Sequence, residues 1–543
     1  MNSSDIQIPD VIWSAFAPEL LVTAIALALL LVAITRGQTL RVTGPVAALG
    51  VGTGIALIVA GSAVAGVVTA VVTASLAGAS VLYPRRASIV QAVGAVGAAA
   101  GALALTVWQF TSVVTNDVGV FTPQGAFFDS LANDGLALFA RFTVYLVVLI
   151  VIPLGYGYMR DRELNRAEVE PLVLFAAVGM VALATANDFI TVFVALEVFS
   201  LALYVLAGSA RRDRRSQEAS LKYFILGAVA SAILLYGMAL IYVATGTLAL
   251  PVIGDILGIA VTNRTVALFG IALITVGVTF KVALVPFHLW VADVYQGAPS
   301  NITAFMAAAT KVAGFALLLR IYLVAFPAFV DVWAPVLAVL AAASMLYGAY
   351  VAVSQHDLVR MMAYSSITHA GYVTIGVVAV TDTGLASVMF YLFTYALTTL
   401  LTFGALIAIE RSRRGEVTLN TIVGLGRTDP WLAAMLSVGL LSLAGVPLTA
   451  GFIGKFMVFR AGIESGWLWL VIIGVLSSVV AAYFYLRIAG MMFLNEPVND
   501  AVRPAYGQVM RVVISLAAVA VIVIGVLPSA ILDMADTLAV MLR

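Results

Sequence analysis

The stretch Phe280-Lys281-Val282-Ala283-Leu284-Val285-Pro286-Phe287-His288-Leu289-Trp290 places a lysine, a proline and a histidine inside an otherwise apolar run. The run extends outward over 266–290, long enough to cross a hydrocarbon core of about 30 Å. A proline there removes a backbone donor and interrupts the helix, and a lysine at such depth costs about 2.5–3.5 kcal/mol on insertion scales. A second stretch has the same character: Gly445, Pro447, Gly451 and Gly454 lead to Lys455 within 431–459.

Working outward, further apolar segments fill most of the 543 residues, which are 63% hydrophobic and 10% charged. Mean hydropathy is +1.10, a value for a chain solvated by lipid rather than water. Besides the two punctuated segments, spans are expected at 17–35, 88–110, 131–153, 171–186, 188–206, 219–243, 302–323, 332–353, 360–380, 385–409, 467–494 and 511–527. The uncharged stretch 42–83 is twice the length one helix needs and reads as a hairpin near Gly61. The fold class is therefore an all-α polytopic membrane protein of about sixteen transmembrane helices.

Charge sets the orientation. Arg160, Arg162 and Arg166, then Arg211, Arg212, Arg214 and Arg215, then Arg360, then Arg411, Arg413, Arg414 and Arg427 fall in alternate loops, while the opposite loops carry little beyond Arg264 and Arg460. Basic loops stay cytoplasmic, and carrying the alternation back through Arg85, Arg86, Arg36 and Arg41 requires 42–83 to cross twice. Both termini are then outside. The acidic, polar N-terminus lacks the marks of a removable signal peptide. A net charge of +1 offers no basic face for nucleic acid. Zero cysteines exclude thiolate metal sites, iron–sulfur ligation and disulfides on this chain.

Two runs of five helices, 171–323 and 332–494, line up as internal repeats, and an odd number of crossings inverts the second. Each has its punctuated fourth helix, with Pro286 in one and Gly445 and Pro447 in the other. Paired broken helices in inverted repeats point to a transport site near the membrane midplane, although prolines also kink membrane helices for packing alone.

The chain has four lysines, Lys222, Lys281, Lys311 and Lys455, and each falls within an expected span. Composition bias accounts for arginine in the loops but leaves these four unexplained. Arginine stays charged at any accessible pH, whereas a desolvated lysine can accept and release a proton. Snorkelling is the competing account, strongest for Lys222, which lies near the loop of Arg211 to Arg215. Glu197 has no charged neighbour within a helical turn, so Lys222 on the next helix is its expected partner, as a titrating pair or as a static tie that fixes packing. His288 and His369 are intramembrane and suit proton relay or helix-to-helix hydrogen bonding. His356, beside Asp357, reads as solvated, Asp188 as a helix N-cap, and Asp134 with Arg141 as a structural pair on one face or a subunit contact.

These residues resemble a known family. Leu196-Glu197-Val198, Glu218 to Phe224, Phe280 to Trp290 with Asp293 to Pro299, Ala309 to Ala313, Tyr364 to Tyr372, and Leu443 to Pro447 with Gly451 to Lys455 are similar to the antiporter-like membrane subunits of respiratory complex I, subunit N above all. The resemblance runs from about Ala126 to the C-terminus. It implies a core of fourteen helices, with 42–83 as an extra N-terminal pair. It divides the chain into 1–125, a proton-translocating core at 126–509, and a C-terminal helix at 510–543. By resemblance Glu197 and Lys222 are the coupling pair, Lys281 the central broken-helix lysine, Lys311 the lysine of the following helix and Lys455 that of the second broken helix. Lysine at 455 favours subunits N or L over M, and a chain stopping at Arg543 lacks the lateral helix of L. The resemblance implies proton translocation with no redox centre here. Quinone, NADH, FMN and iron–sulfur clusters belong on other subunits, with subunits M, K and J as neighbours in the cell (plasma) membrane. Subunits of multisubunit cation/proton antiporters and membrane-bound hydrogenases have similar lysines and stay open as alternatives, as does an inert scaffold.

Overall fold

A computed structural model describes residues 13–34, 87–114, 129–164, 166–259, 263–413, 416–497 and 506–542. The expected hairpin at 42–83 lies outside the described residues. Helices account for the architecture: α1 (Ala17–Ile34), α2 (Ala87–Val114), α3 (Gly135–Asp161), α4 (Val169–Thr185), α5 (Phe189–Ala207), α6 (Arg214–Thr245), α7 (Leu250–Ile259), α8 (Arg264–Val282), α9 (Val291–Gly297), α10 (Ser300–Ala325), α11 (Val330–Ser354), α12 (Leu358–Val378), α13 (Asp382–Arg413), α14 (Pro430–Ala444), α15 (Ala450–Glu464), α16 (Leu468–Leu494), α17 (Gln508–Val526) and α18 (Ser529–Val540). Ten helices among the described residues are long and apolar enough to cross a membrane.

Polar caps set where these apolar helices begin. Asp134, Asp188, Asp357 and Asp429 each accept a backbone N–H from the first turn, satisfying a donor that helix geometry leaves orphaned at the rim. Asp188 is thus the N-cap its position suggested, with Thr191 donating both its N–H (2.9 Å) and its hydroxyl (2.6 Å). His356 is exposed, as expected.

Inside the bundle α10 and α13 are buried along their spanning windows, α8 packs along α6, and α12 packs along α11. The two proline-punctuated runs are each two helices. The first ends at Val282, where Ala283 turns left-handed (φ 62°), and the chain becomes helical again at Val291. The second ends at Ala444, turns at Gly445 (φ 84°) and resumes at Ala450. The halves of the second close tightly, because a Cβ on Gly451 would stand 1.9 Å from the Ser442 carbonyl oxygen. In α10 one π-helical segment, Met306–Thr310, directly precedes Lys311, and a second, Ile321–Ala325, closes the helix beyond Arg320. Such wide turns shift the register of the side chains that follow.

Asp134 and Arg141 do not pair with each other. Asp134 takes a two-pronged contact from Arg320 of α10, which also donates to the Ala184 carbonyl at 2.8 and 3.2 Å. Arg141 reaches Glu19 of α1 and Asn133, each at 2.5 Å. Seven residues separate the two positions by sequence, yet the N-cap duty of Asp134 turns its carboxylate toward α4 and α10. Both arginines are fully enclosed, so these contacts tie α1, α3, α4 and α10 together in place of hydration.

Candidate functional site

Lys281 is the penultimate residue of α8, and the break beyond it leaves the carbonyls of that helix end without intrahelical partners. The Ala283 N–H turns back onto Phe280 O at 3.2 Å, and Trp290 returns from the loop to donate its Nε1–H to the same oxygen at 3.1 Å while stacking on Tyr223 at 4.6 Å. The Lys281 amine donates to Ser200 Oγ at 2.6 Å and lies 4.7 Å over the Phe199 ring, both on α5. Ser200 in turn donates to the Leu196 carbonyl. Glu197, one turn earlier on α5, is near enough for its charge to act on the Lys281 amine, and its Oε1 is buried without a hydrogen bond.

Lys311 follows. Its Nζ donates to Val282 O at 2.5 Å, so it caps the very helix end that carries Lys281. The negative end of a half-helix dipole favours a cation there. Lys455 repeats the arrangement at the second break, donating to Leu443 O and Ala444 O at 2.9 Å each and to Ser478 Oγ at 3.0 Å, with the Tyr372 ring 5.0 Å away. Between these amines lies His369 of α12, whose Nδ1 meets Tyr391 OH at 2.7 Å and whose Nε2 meets Tyr485 OH at 3.2 Å. The charges of Lys455 and Lys311 both act on it. Lys281, Lys311 and Lys455 are at most 5% exposed, and among the described residues none forms a salt bridge.

Lys222 is different. Its side chain is 42% exposed, and its amine bridges Glu218 and Asp293, each at 2.7 Å. In place of the expected Glu197–Lys222 pair, the lysine meets Asp293, presented by the short α9 at the arginine-bearing rim. Arg360 donates to the same carboxylate at 2.8 Å. Burial opposes ionisation of Asp293, but the hydrogen bonds from Lys222 and Arg360 outweigh it and hold the carboxyl below the ordinary range. A rim cavity of about 210 Å³ opens against this cluster. His288 lies edge-on to Tyr347 at 4.7 Å, and among the described contacts it makes none with the lysines.

Residues 186–481 match the family described as NADH:quinone oxidoreductase/Mrp antiporter, TM. The NADH-quinone oxidoreductase subunit N of Rhodococcus opacus is 48% identical over 395 residues, covering 71% of this chain and 73% of that one. This chain belongs to the subunit N family of NADH-quinone oxidoreductase. A solved chain of respiratory complex I from Thermus thermophilus is 34% identical, with a TM-score of 0.70, over 87% of this chain and 99% of that one. A chain of the Mrp complex from a Dietzia species shares the fold, with a TM-score of 0.75 at 24% identity over 87% and 96% of the two chains.

In this member of the subunit N family, Glu197, Lys281, Lys311, His369 and Lys455 form one interior series, while Lys222 and His288 fall outside it. Reading the sequence overlooked the neutral partners Ser200, Ser478, Tyr391 and Tyr485, since a lone hydroxyl in a span carries no spacing signature. It also left Asp293 unused, although Asp293 lies within a quoted motif and is acidic beside a basic rim.

Proposed function

We propose that this chain carries protons across the bacterial plasma membrane as subunit N of a proton-translocating NADH:quinone oxidoreductase, using redox energy released on other subunits. The observation that carries this reading is the set of enclosed amines at Lys281, Lys311 and Lys455, held by hydroxyls and helix-end carbonyls instead of carboxylates. A neutral acceptor can hold either –NH3⁺ or –NH2, so the amine keeps the freedom to exchange its proton. A charge change at Glu197 acts first on Lys281, then on Lys311 across the Val282 carbonyl, and through His369 toward Lys455. Rearrangement of the Asp293 cluster would release Lys222 toward Glu197, which gives the coupling pair an open and a closed form.

The transporting core is assigned to 126–509, with its two repeats at 171–323 and 332–494, flanked by 1–125 and the helix of 510–543. The arginine bias places both termini outside. With zero cysteines on the chain, iron–sulfur clusters go to other subunits together with FMN, NADH and quinone. Subunits M, K and J are the expected neighbours.

Lys281→Ala tests the proposal. The purified variant complex should still reduce quinone but fail to pump at the normal proton ratio in proteoliposomes. Normal pumping defeats the relay, and sodium-dependent proton flux insensitive to quinone inhibitors would select a cation/proton antiporter instead.

A further inference from the structure

A groove of about 460 Å³ runs between α2, α3 and α17, within the size range of ligand pockets, and no described residue fills it. Its walls are apolar: Ile89 and Val93 from α2, Ile152 and Pro153 from α3, Val509 and Met510 from α17. Its mouth is not, because Arg160 and Arg411 line it at the arginine-bearing rim. Asp161 takes Arg411 Nε at 3.0 Å and Nη2 at 2.5 Å, and meets Arg160 only at 3.3–3.4 Å. Two guanidiniums against one carboxylate leave an excess positive charge. Most donors of Arg160 remain available, and its side chain is 63% exposed. Arg411 is fixed in place, lying across Gly157, where an added Cβ would stand 2.7 Å from its Nη1.

We propose that this groove binds an anionic phospholipid of the cytoplasmic leaflet, with an acyl chain along the apolar walls and the phosphate on Arg160 beside Arg411. Any outward face of a membrane protein is covered by lipid. Here the concavity retains a chain, and the uncompensated charge selects the headgroup. A zwitterionic headgroup brings its own cation to the same rim and loses that selection.

The intact complex is reconstituted in nanodiscs of equal phosphatidylglycerol and phosphatidylcholine, each doped in turn with an analogue carrying a photoactivatable acyl chain. The phosphatidylglycerol analogue should label peptides spanning 89–96 and 152–157 about fivefold more than its zwitterionic counterpart, the effect of one arginine near a surface. Arg160→Gln should bring labelling close to parity and leave quinone reduction intact. Equal labelling of the unmodified protein overturns the proposal, as does a preference that survives Arg160→Gln. So does absence of lipid label with residues 35–86 or a neighbouring subunit cross-linked into the groove. None of these readouts depends on proton pumping.

Discussion

Gly445 joins the backbone of the second break to the amine that rests on it, and replacing it with alanine perturbs both. Its φ of 84° lies in the left-handed region, so a side chain there costs roughly 1–2 kcal/mol. The added Cβ would also stand 2.9 Å from Lys455 Cδ and 3.4 Å from its Nζ. The lysine stem is the flexible partner and must withdraw, which draws the ammonium off the Leu443 and Ala444 carbonyls. A hydrogen bond to a charged group contributes about 1.5–3 kcal/mol, so losing even one lowers the docked population of the amine by roughly one to two powers of ten. Gly466 supplies the control: its φ is 83°, and an added Cβ there meets nothing within 4 Å. Both variants are reconstituted as complete complexes, and protons moved per NADH oxidised are followed with a pH-sensitive dye beside the rate of quinone reduction. Gly445→Ala should lower the proton yield while quinone reduction continues, and Gly466→Ala should behave as the unmodified protein. Equal yields from the two variants would refute the coupling of this break to Lys455.

Three other outcomes follow from the same contacts. Arg320→Met leaves Asp134 buried and unpaired, which costs roughly 3–5 kcal/mol, so the thermal midpoint of the variant should fall clearly while the proton ratio of surviving complexes stays normal; an unchanged midpoint contradicts the tie. Because Asp293 is held below the ordinary carboxylate range, the rim contact it makes is present at neutral pH and is lost only as pH falls below about 3.9, so the protection of amides over 291–297, taken as deuterium uptake relative to the intrinsic exchange rate at each pH, should be constant from neutral pH down to that point; a loss of protection near pH 6 would be inconsistent. Ser478→Asp puts a carboxylate where Lys455 now meets a hydroxyl at 3.0 Å, which should fix the ammonium and abolish pumping without loss of assembly, and retained pumping would remove Lys455 from the relay.

The periodicity that betrays a helix was legible along most of the chain because lipid demands long apolar runs, and the two breaks were legible because proline and glycine interrupt them. Lys281, Lys311 and Lys455 stood out for the same reason, as charges in the wrong solvent. The partner of Lys222 was not legible. Proximity in sequence placed Glu197 one helix away, but the α8–α9 break carries Asp293 back to the rim, and a break sends the chain where no local pattern records. Asp134 illustrates the same limit. Its seven-residue spacing to Arg141 implies a shared face, yet a residue at the N-cap lies outside the regular helix, so the spacing rule stops one position short. Arg320 carried no signal either, sitting at the end of an apolar span like any interfacial anchor, while its guanidinium is buried on Asp134.

The basic groups sort by what they touch. Arg141, Arg320 and Lys222 meet carboxylates, and each bridges separate helices: α3 to α1, α10 to α3, and α6 to α9. A carboxylate stabilises one protonation state of its partner and so makes a fastening. Lys281, Lys311 and Lys455 meet hydroxyls and the open carbonyls of Val282, Leu443 and Ala444. Those carbonyls exist only because α8 and α14 stop in the interior, since an unbroken helix would spend them on its own N–H groups. The breaks thus provide acceptors polar enough to hold an ammonium in hydrocarbon, yet uncharged, so that under the proposed relay the amine left after proton release would be held as well. An arginine at these positions would keep its charge throughout, and a carboxylate hydrogen-bonded directly to the amine would oppose its loss. Proline and glycine in mid-membrane, and lysine in place of arginine, are therefore two parts of one requirement.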